Sequence, residues 1–380
     1  MAPPRMRAVL APLLVAITTI GCALIDPVPT PRPSGAALTE GPPGGQPTAT
    51  QPVDTTGPTA PPTLGVPGSG AWARLEVDGP RPRAREDHTW TVDPDGRIAY
   101  LFGGRDGGTM FDDLWAFDLE TSAWRRVDVG GDAPAPRFGH EGVWARGHGL
   151  AVWAGQAGST FFNDLWLFDP ATTTWQLLPA GGDVPVARYG SCSGSGPDGR
   201  LWISHGFTED GRRFADTRAY DFAAGAWADE TPAGGGPFER CLHACWWTSD
   251  GQLALYGGQT TGTPALGDLW FLTPGVDGAS AGAWTEAPSP APAARNLAAV
   301  ARRDPLTVMF GGRGLDGAPL DDTWLFVDGS SGFVPLDTGG VAPRARSGAA
   351  MVYDTAGERF VLFGGVGGDA FNDVWELTSP

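Results

Sequence analysis

Six arginines stand in the same local frame. Each closes a Pro-x-x-Arg: Pro82 to Arg85, Pro134 to Arg137, Pro185 to Arg188, Pro237 to Arg240, Pro292 to Arg295 and Pro343 to Arg346. Further along each unit comes an aspartate, in turn Asp113, Asp164, Asp216, Asp268, Asp322 and Asp373. A guanidinium is a planar, permanently charged fork that grips a carboxylate through two parallel hydrogen bonds. The carboxylate can belong to the repeat itself, as a brace, or to a ligand. Features present in every unit are structural more often than functional, so the aspartates are expected to be braces. The arginines stay open between the two uses.

The elements that carry these residues are short strands. Ile98 to Val127 reads as three of them: Ile98–Phe102, ended by Gly103-Gly104; a strand after Asp113; and a strand opening on Trp124. The glycine pair returns as Gly257-Gly258, Gly311-Gly312 and Gly364-Gly365, with Ala154-Gly155 and His205-Gly206 as degenerate copies, about 51 to 54 residues apart. If the strands of a unit are lettered a to d, six a strands follow the arginines and six b strands end at the glycine pairs. Six c strands follow the aspartates. Only five d strands follow a c strand, opening near Trp124, Trp175, Trp227, Trp284 and Phe333. The sixth lies at the other end: Ala71-Trp72-Ala73-Arg74-Leu75 matches Ala123-Trp124-Arg125-Arg126-Val127. The first strand therefore completes the last unit and removes the open edge a ring of sheets would otherwise present.

On these glycine pairs, tryptophans and their period of about 50 residues, the chain resembles the kelch-repeat family. The resemblance implies an all-β fold, a six-bladed β-propeller with four antiparallel strands per blade, over residues 71–380. Antiparallel strands put the d–a and b–c loops on one face of the disc. That face carries the six arginines (Arg85, Arg137, Arg188, Arg240, Arg295 and Arg346) and the residues after the glycine pairs: Arg105, Gln156, Phe207, Gln259, Arg313 and Val366. In kelch interaction modules this face commonly binds the partner. The expectation is a basic mouth that takes a carboxylate-bearing peptide or glycan, on a monomeric disc with no cofactor. The tryptophans are expected to be core, wedged between blades.

Composition narrows the partners. With 26 basic against 43 acidic residues and a formal charge of -17, nucleic acid and an anionic membrane are poor matches for the surface. At the N-terminus, Arg5 and Arg7 precede an apolar run from Val9 to Ile20, too short to span a bilayer and suited to a signal peptide core. The run ends in Thr19-Ile20-Gly21-Cys22, which resembles the lipobox of bacterial lipoproteins, with Thr19 where leucine is usual. The reading is a signal peptide over residues 1–21, lipidation of Cys22, and an extracytoplasmic protein anchored to a bacterial membrane by lipid alone, on the cell surface or in the periplasm. Residues 22–70, rich in Pro, Thr, Gly and Ala, form a tether that reaches on the order of 150 Å when extended.

Three further positions invite chemistry. His88, His140 and His243 follow their arginines by three residues, but they come from separate blades and Arg-x-x-His is ordinary in the family, so no metal is expected. Cys192, Cys241 and Cys245 fall on the a strands of blades three and four. Outside the cytoplasm Cys192 could pair with Cys241 or Cys245, whereas Cys241 with Cys245 exceeds disulfide reach on one extended strand. Some kelch propellers are enzymes. The five tyrosines (Tyr100, Tyr189, Tyr220, Tyr256 and Tyr353) form no copper-oxidase constellation with the histidines. A sialic acid-type mutarotase would need an arginine for the substrate carboxylate and an acid–base group such as Glu86, Glu239 or His243. An interaction module is the favoured reading.

Overall fold

The computed structural model describes residues 69–275, 282–288 and 292–378. The signal-peptide and Cys22 assignments, and the tether up to residue 68, lie outside the described residues. Among those described, six sheets of four or five strands are arranged as blades, and Arg105–Asp106 with Thr109–Met110 and Gln156–Ala157 with Thr160–Phe161 form two further two-stranded sheets. Blade 1 is Thr89–Val92, Ile98–Phe102, Leu114–Asp118 and Ala123–Val127. Blade 2 is Glu141–Ala145, Gly149–Trp153, Leu165–Asp169 and Thr174–Leu177. Blade 3 is Cys192–Ser195, Leu201–Phe207, Arg213–Asp221 and Ala226–Asp229, with Gly181–Gly182 added in parallel outside. Blade 4 is Ala244–Trp247, Leu253–Tyr256, Leu269–Thr273 and Ala283–Glu286. Blade 5 is Ala299–Arg303, Leu306–Phe310, Thr323–Val327 and Val334–Pro335. Blade 6 is Ala350–Asp354, Arg359–Phe363 and Val374–Thr378, completed by Ala71–Leu75.

That last pairing runs antiparallel from Ala71 opposite Thr378 to Leu75 opposite Val374. Trp72 is buried and its Nε1 donates to Thr323 Oγ1 of blade 5 at 3.0 Å. The closure is therefore held by side-chain packing as well as by the ladder. Just before this strand, Gly70 N–H donates to Asp337 C=O at 3.0 Å. The a strands touch their neighbours in sequence around the axis, and the a strand of blade 6 touches that of blade 1.

The glycine pairs explain how tightly the blades seat. Gly104 N–H donates to Arg137 C=O of the next blade at 2.8 Å, and Gly155, Gly206, Gly258, Gly312 and Gly365 repeat the bond around the ring. A Cβ on Gly103 would lie 2.7 Å from that same carbonyl oxygen and from the His140 ring, so no side chain fits. Ala154 and His205 occupy the equivalent first position at φ of 62° and 60°, the left-handed region that costs non-glycine residues energy. Between blades lie the apolar clusters, where Trp90, Trp124 and Phe117 of blade 1 pack against Phe363 of blade 6.

Candidate functional site

The six repeated arginines are buried, with at most 1% of each residue exposed. Arg85 is typical. Its Nη1 donates to Asp113 Oδ1 at 2.6 Å and to Gly103 C=O at 2.8 Å, its Nη2 to Asp113 Oδ2 at 2.9 Å, and its Nε to Arg83 C=O at 3.0 Å. Arg137, Arg188, Arg240, Arg295 and Arg346 repeat the fork onto Asp164, Asp216, Asp268, Asp322 and Asp373. In blades 1, 2, 3 and 6 a phenylalanine covers the guanidinium, with ring centres 3.9 to 4.1 Å away. The expected arginine mouth is thus corrected. These six residues tie the start of strand a to the start of strand c, and four of the five N–H donors of each are spent on the protein.

The aspartate takes a third bond. The second residue of strand c, Trp115, Trp166, Trp270, Trp324 or Trp375, donates its Nε1 to the same carboxylate at 2.7 or 2.8 Å. In blade 3 Arg218 stands in that place and donates Nε to Asp216 at 3.1 Å. Desolvation raises each carboxyl pKa, but the hydrogen bonds and charge of the arginine outweigh it and hold all six below the usual aspartate range.

The residues after the glycine pairs do come together. Each bridges the residue following the buried arginine: Arg105 with Glu86, Gln156 with Phe138, Phe207 with Tyr189, Gln259 with Cys241, Arg313 with Asn296 and Val366 with Ser347. They form one ring at the d–a and b–c end of the axis. Its chemistry is not basic. Arg105 is engaged by Glu86 and Asp87, at 3.1 Å each, and its guanidinium lies 4.2 Å from the Phe138 ring centre. Arg313 Nη2 donates to Ser347 Oγ at 3.3 Å, Gln156 Nε2 donates to Gly158 C=O, and Gln259 accepts from Asn296. Burial, seconded by the Asp87 charge, raises the Glu86 carboxyl to about 7 against the pull of Arg105 and Arg313. Phe138, Tyr189, Phe207 and Phe161 continue the ring as edge-to-face aromatics across blades 2 and 3.

Three arginines absent from the sequence reading are exposed on this face, Arg212 over Phe214 at 5.1 Å in the b–c loop of blade 3 and two on the d–a side. Arg83 lies over Phe111 at 5.5 Å and Arg344 over Phe371 at 4.6 Å, on the adjacent blades 1 and 6. Both fill the first variable place of Pro-x-x-Arg, where blades 3 and 4 carry the exposed Val186 and Phe238. That slot is readable in the sequence, where two of the six repeats place a basic residue.

Residues 67–258 match the KLHDC2/KLHL20/DRC7 Kelch-repeats domain, just over half of the chain. The chain belongs to the kelch-repeat family. Among its relatives, acyl-CoA-binding domain-containing protein 6 of Oryza sativa subsp. japonica is 31% identical over 209 residues, covering 50% of this chain and 30% of the relative. The N-(sulfonatooxy)prop-2-enimidothioate sulfolyase of Thlaspi arvense is 29% identical over 214 residues, covering 53% and 60%. Kelch domain-containing protein 3 of Rattus norvegicus is 28% identical over 215 residues, covering 53% and 55%. The chain thus spans less than two thirds of the length of each of these relatives.

The remaining candidates fall inside this kelch propeller. His88 packs on Phe363, His140 on Phe102 and His243 on His205, each against the blade before its own. Burial holds His140 and His205 at about 3 and keeps His88 and His243 well below the ordinary value, so all four are neutral near pH 7. Cys192 is bonded to Cys245 with Cα atoms 5.9 Å apart, joining the a strands of blades 3 and 4. Cys241 is buried beside Gln259. Of the acid–base candidates, Glu239 is exposed on the d–a rim and His243 is sealed between blades.

Proposed function

We propose that this kelch propeller is an extracytoplasmic interaction module, held to a membrane by a lipidated Cys22, that takes a carboxylate-bearing protein or glycan on its d–a and b–c face. Kelch propellers are generally protein-interaction modules. The observation that carries the ligand choice is the pair Arg83 and Arg344: exposed guanidinium groups on neighbouring blades, each laid on a phenylalanine ring. Stacking holds a long side chain in place and leaves the edge of the fork for an acceptor. Anchoring rests on the run from Arg5 to Cys22. The test is capture of poly-glutamate peptides and polyuronate glycans by the chain from residue 69 onward. Binding that is lost in an Arg83→Ala/Arg344→Ala double variant, with folding unchanged, supports the reading; no binding to any acidic polymer, or binding indifferent to the double variant, sinks it.

A second reading, a sugar-acid mutarotase, is favoured by Glu86 alone, whose raised carboxyl sits beside Arg105 at the axis. Saturable anomer exchange that Glu86→Gln abolishes would establish it.

A further inference from the structure

The residue two places after each buried arginine enters a second ring. Asp87 N–H donates to Gly348 C=O, Gly139 to Asp87, Gly190 to Gly139, Leu242 to Gly190, Leu297 to Leu242 and Gly348 to Leu297, at 2.7 to 3.0 Å. All six have φ between 53° and 63°. The result is a closed circle of main-chain hydrogen bonds that narrows the axial bore at its d–a and b–c end. Tyr189, Leu242 and Asp87 lie where a Cβ on Gly139, Gly190 or Gly348 would have to go, so side chains fill the circle as well.

Beyond this constriction lies a cavity of about 260 Å³ among the a strands. Its wall is two-sided although the fold is six-fold. Blades 1 to 3 present Asp87, Tyr189, Ser191, and Glu141 bonded to Ser193 Oγ at 3.0 Å. Blades 5 and 6 present Leu297, Val300 and Met351. Asp87 Oδ1 and Ser191 Oγ have no hydrogen-bond partner, although both residues are 93% buried (7% exposed). Buried polar atoms in this state are normally satisfied by something. Nothing cationic is available in the wall: the histidines are neutral and Arg105 is engaged by Glu86 and Asp87.

We propose that the bore is a second binding site, separate from the loop face, for a small amphipathic amine: an ammonium or guanidinium head on Glu141 and Ser191, and an apolar body against Leu297, Val300 and Met351. The Glu141 carboxyl faces this space without a counter-ion, an arrangement that rejects anions and favours cations. Apolar surface on the opposite wall favours a body with little hydrogen-bonding capacity. Burial raises the Glu141 carboxyl to about 8, so near pH 7 it takes up the ligand by losing its proton to solvent. The other titratable groups facing the cavity are Asp87, His88, His140, Tyr189 and His243.

The experiment is calorimetric titration of the full chain at about pH 7 with three probes of one shape: cyclohexylammonium, cyclohexanol and cyclohexanecarboxylate. The expected result is that the amine binds, the alcohol binds at least about tenfold more weakly, and the carboxylate does not bind. The heat for the amine should vary with the ionisation enthalpy of the buffer, reporting up to one proton released. Glu141→Gln should cost about tenfold or more in amine affinity and remove that buffer dependence. Amine and alcohol binding equally, no amine binding up to about 10 mM, or an unchanged Glu141→Gln would each overturn the assignment. The probe comparison stands on the unaltered protein, so the test survives a variant that does not fold.

Discussion

Arg188 and Asp216 meet through two parallel hydrogen bonds, 2.6 and 3.1 Å long, and Arg218 adds a third to the same carboxylate at 3.1 Å. Blade 3 thereby keeps, with an arginine, the arrangement that the other five blades build with tryptophan. Removing the buried guanidinium takes two of the three bonds from Asp216 and leaves Arg218 as its charge partner, so Arg188→Ala is expected to lose about 2–3 kcal/mol in denaturant unfolding. Arg218→Trp restores the donor used elsewhere and should stay within about 1 kcal/mol of the parent. A weak effect at Arg188 would mean the fork contributes little to holding strands a and c together.

Ring closure makes its own prediction. Trp72 contributes a buried indole and a bond to Thr323, far away in sequence. Trp72→Ala is expected to cost about 3–5 kcal/mol, as large-to-small changes in packed cores do. Deleting residues up to Leu75 should expose the outer edge of Val374–Thr378 and promote self-association, visible by light scattering at concentrations where the parent is monodisperse.

Much of this was legible in the sequence. The six units, their strand order and the Trp72 closure followed from phase alone, because a repeat that starts with a d strand and ends with a c strand has one economical way to close. The fate of the arginines did not follow. Pro-x-x-Arg fixes where the side chain starts, not whether its fork turns inward to Asp113 or outward to solvent, and both give a satisfied guanidinium. The disulfide partner was equally undetermined, since the choice between Cys241 and Cys245 depends on the stagger between two a strands. The axial circle had left a trace: Gly139, Gly190 and Gly348 recur two places after their arginines, the usual mark of a left-handed backbone.

The Cys192–Cys245 bond closes a loop with a sequence separation of 53 between blades that already pack together. Chain-entropy arguments put such a loop at about 4 kcal/mol. Reduction with a strong thiol, or Cys192→Ser/Cys245→Ser, should lower the denaturation midpoint by a matching amount while the fold persists, because the Gly206 and Leu242 main-chain bonds still join those blades. Complete unfolding on reduction would show that the bridge, rather than packing, holds blades 3 and 4 together.

The buried titratable groups predict a stability maximum at about pH 6. Four imidazoles, those of His88, His140, His205 and His243, are kept neutral by burial, with pKa values far below the ordinary 6.5. As pH falls below 6.5 the unfolded chain gains protons at these sites and the native state does not, so stability drops. Glu86 and Glu141 act with the opposite sign. Their native pKa values, about 7 and about 8, lie above the ordinary 4.5, so the stability they contribute is complete below 4.5 and is lost as pH rises through 7 and 8. Between 4.5 and about 6 the four histidines outweigh these glutamates even with the raised Asp87 added, and the net slope is upward. Above 6.5 only the carboxyls remain, and the slope turns down. Denaturant midpoints measured from about pH 5 to 9 should trace that peak, and Glu141→Gln should flatten its alkaline side and steepen its acid side above 4.5. An alkaline limb unchanged in that variant would mean that Glu141 is ionised in the native protein near neutrality.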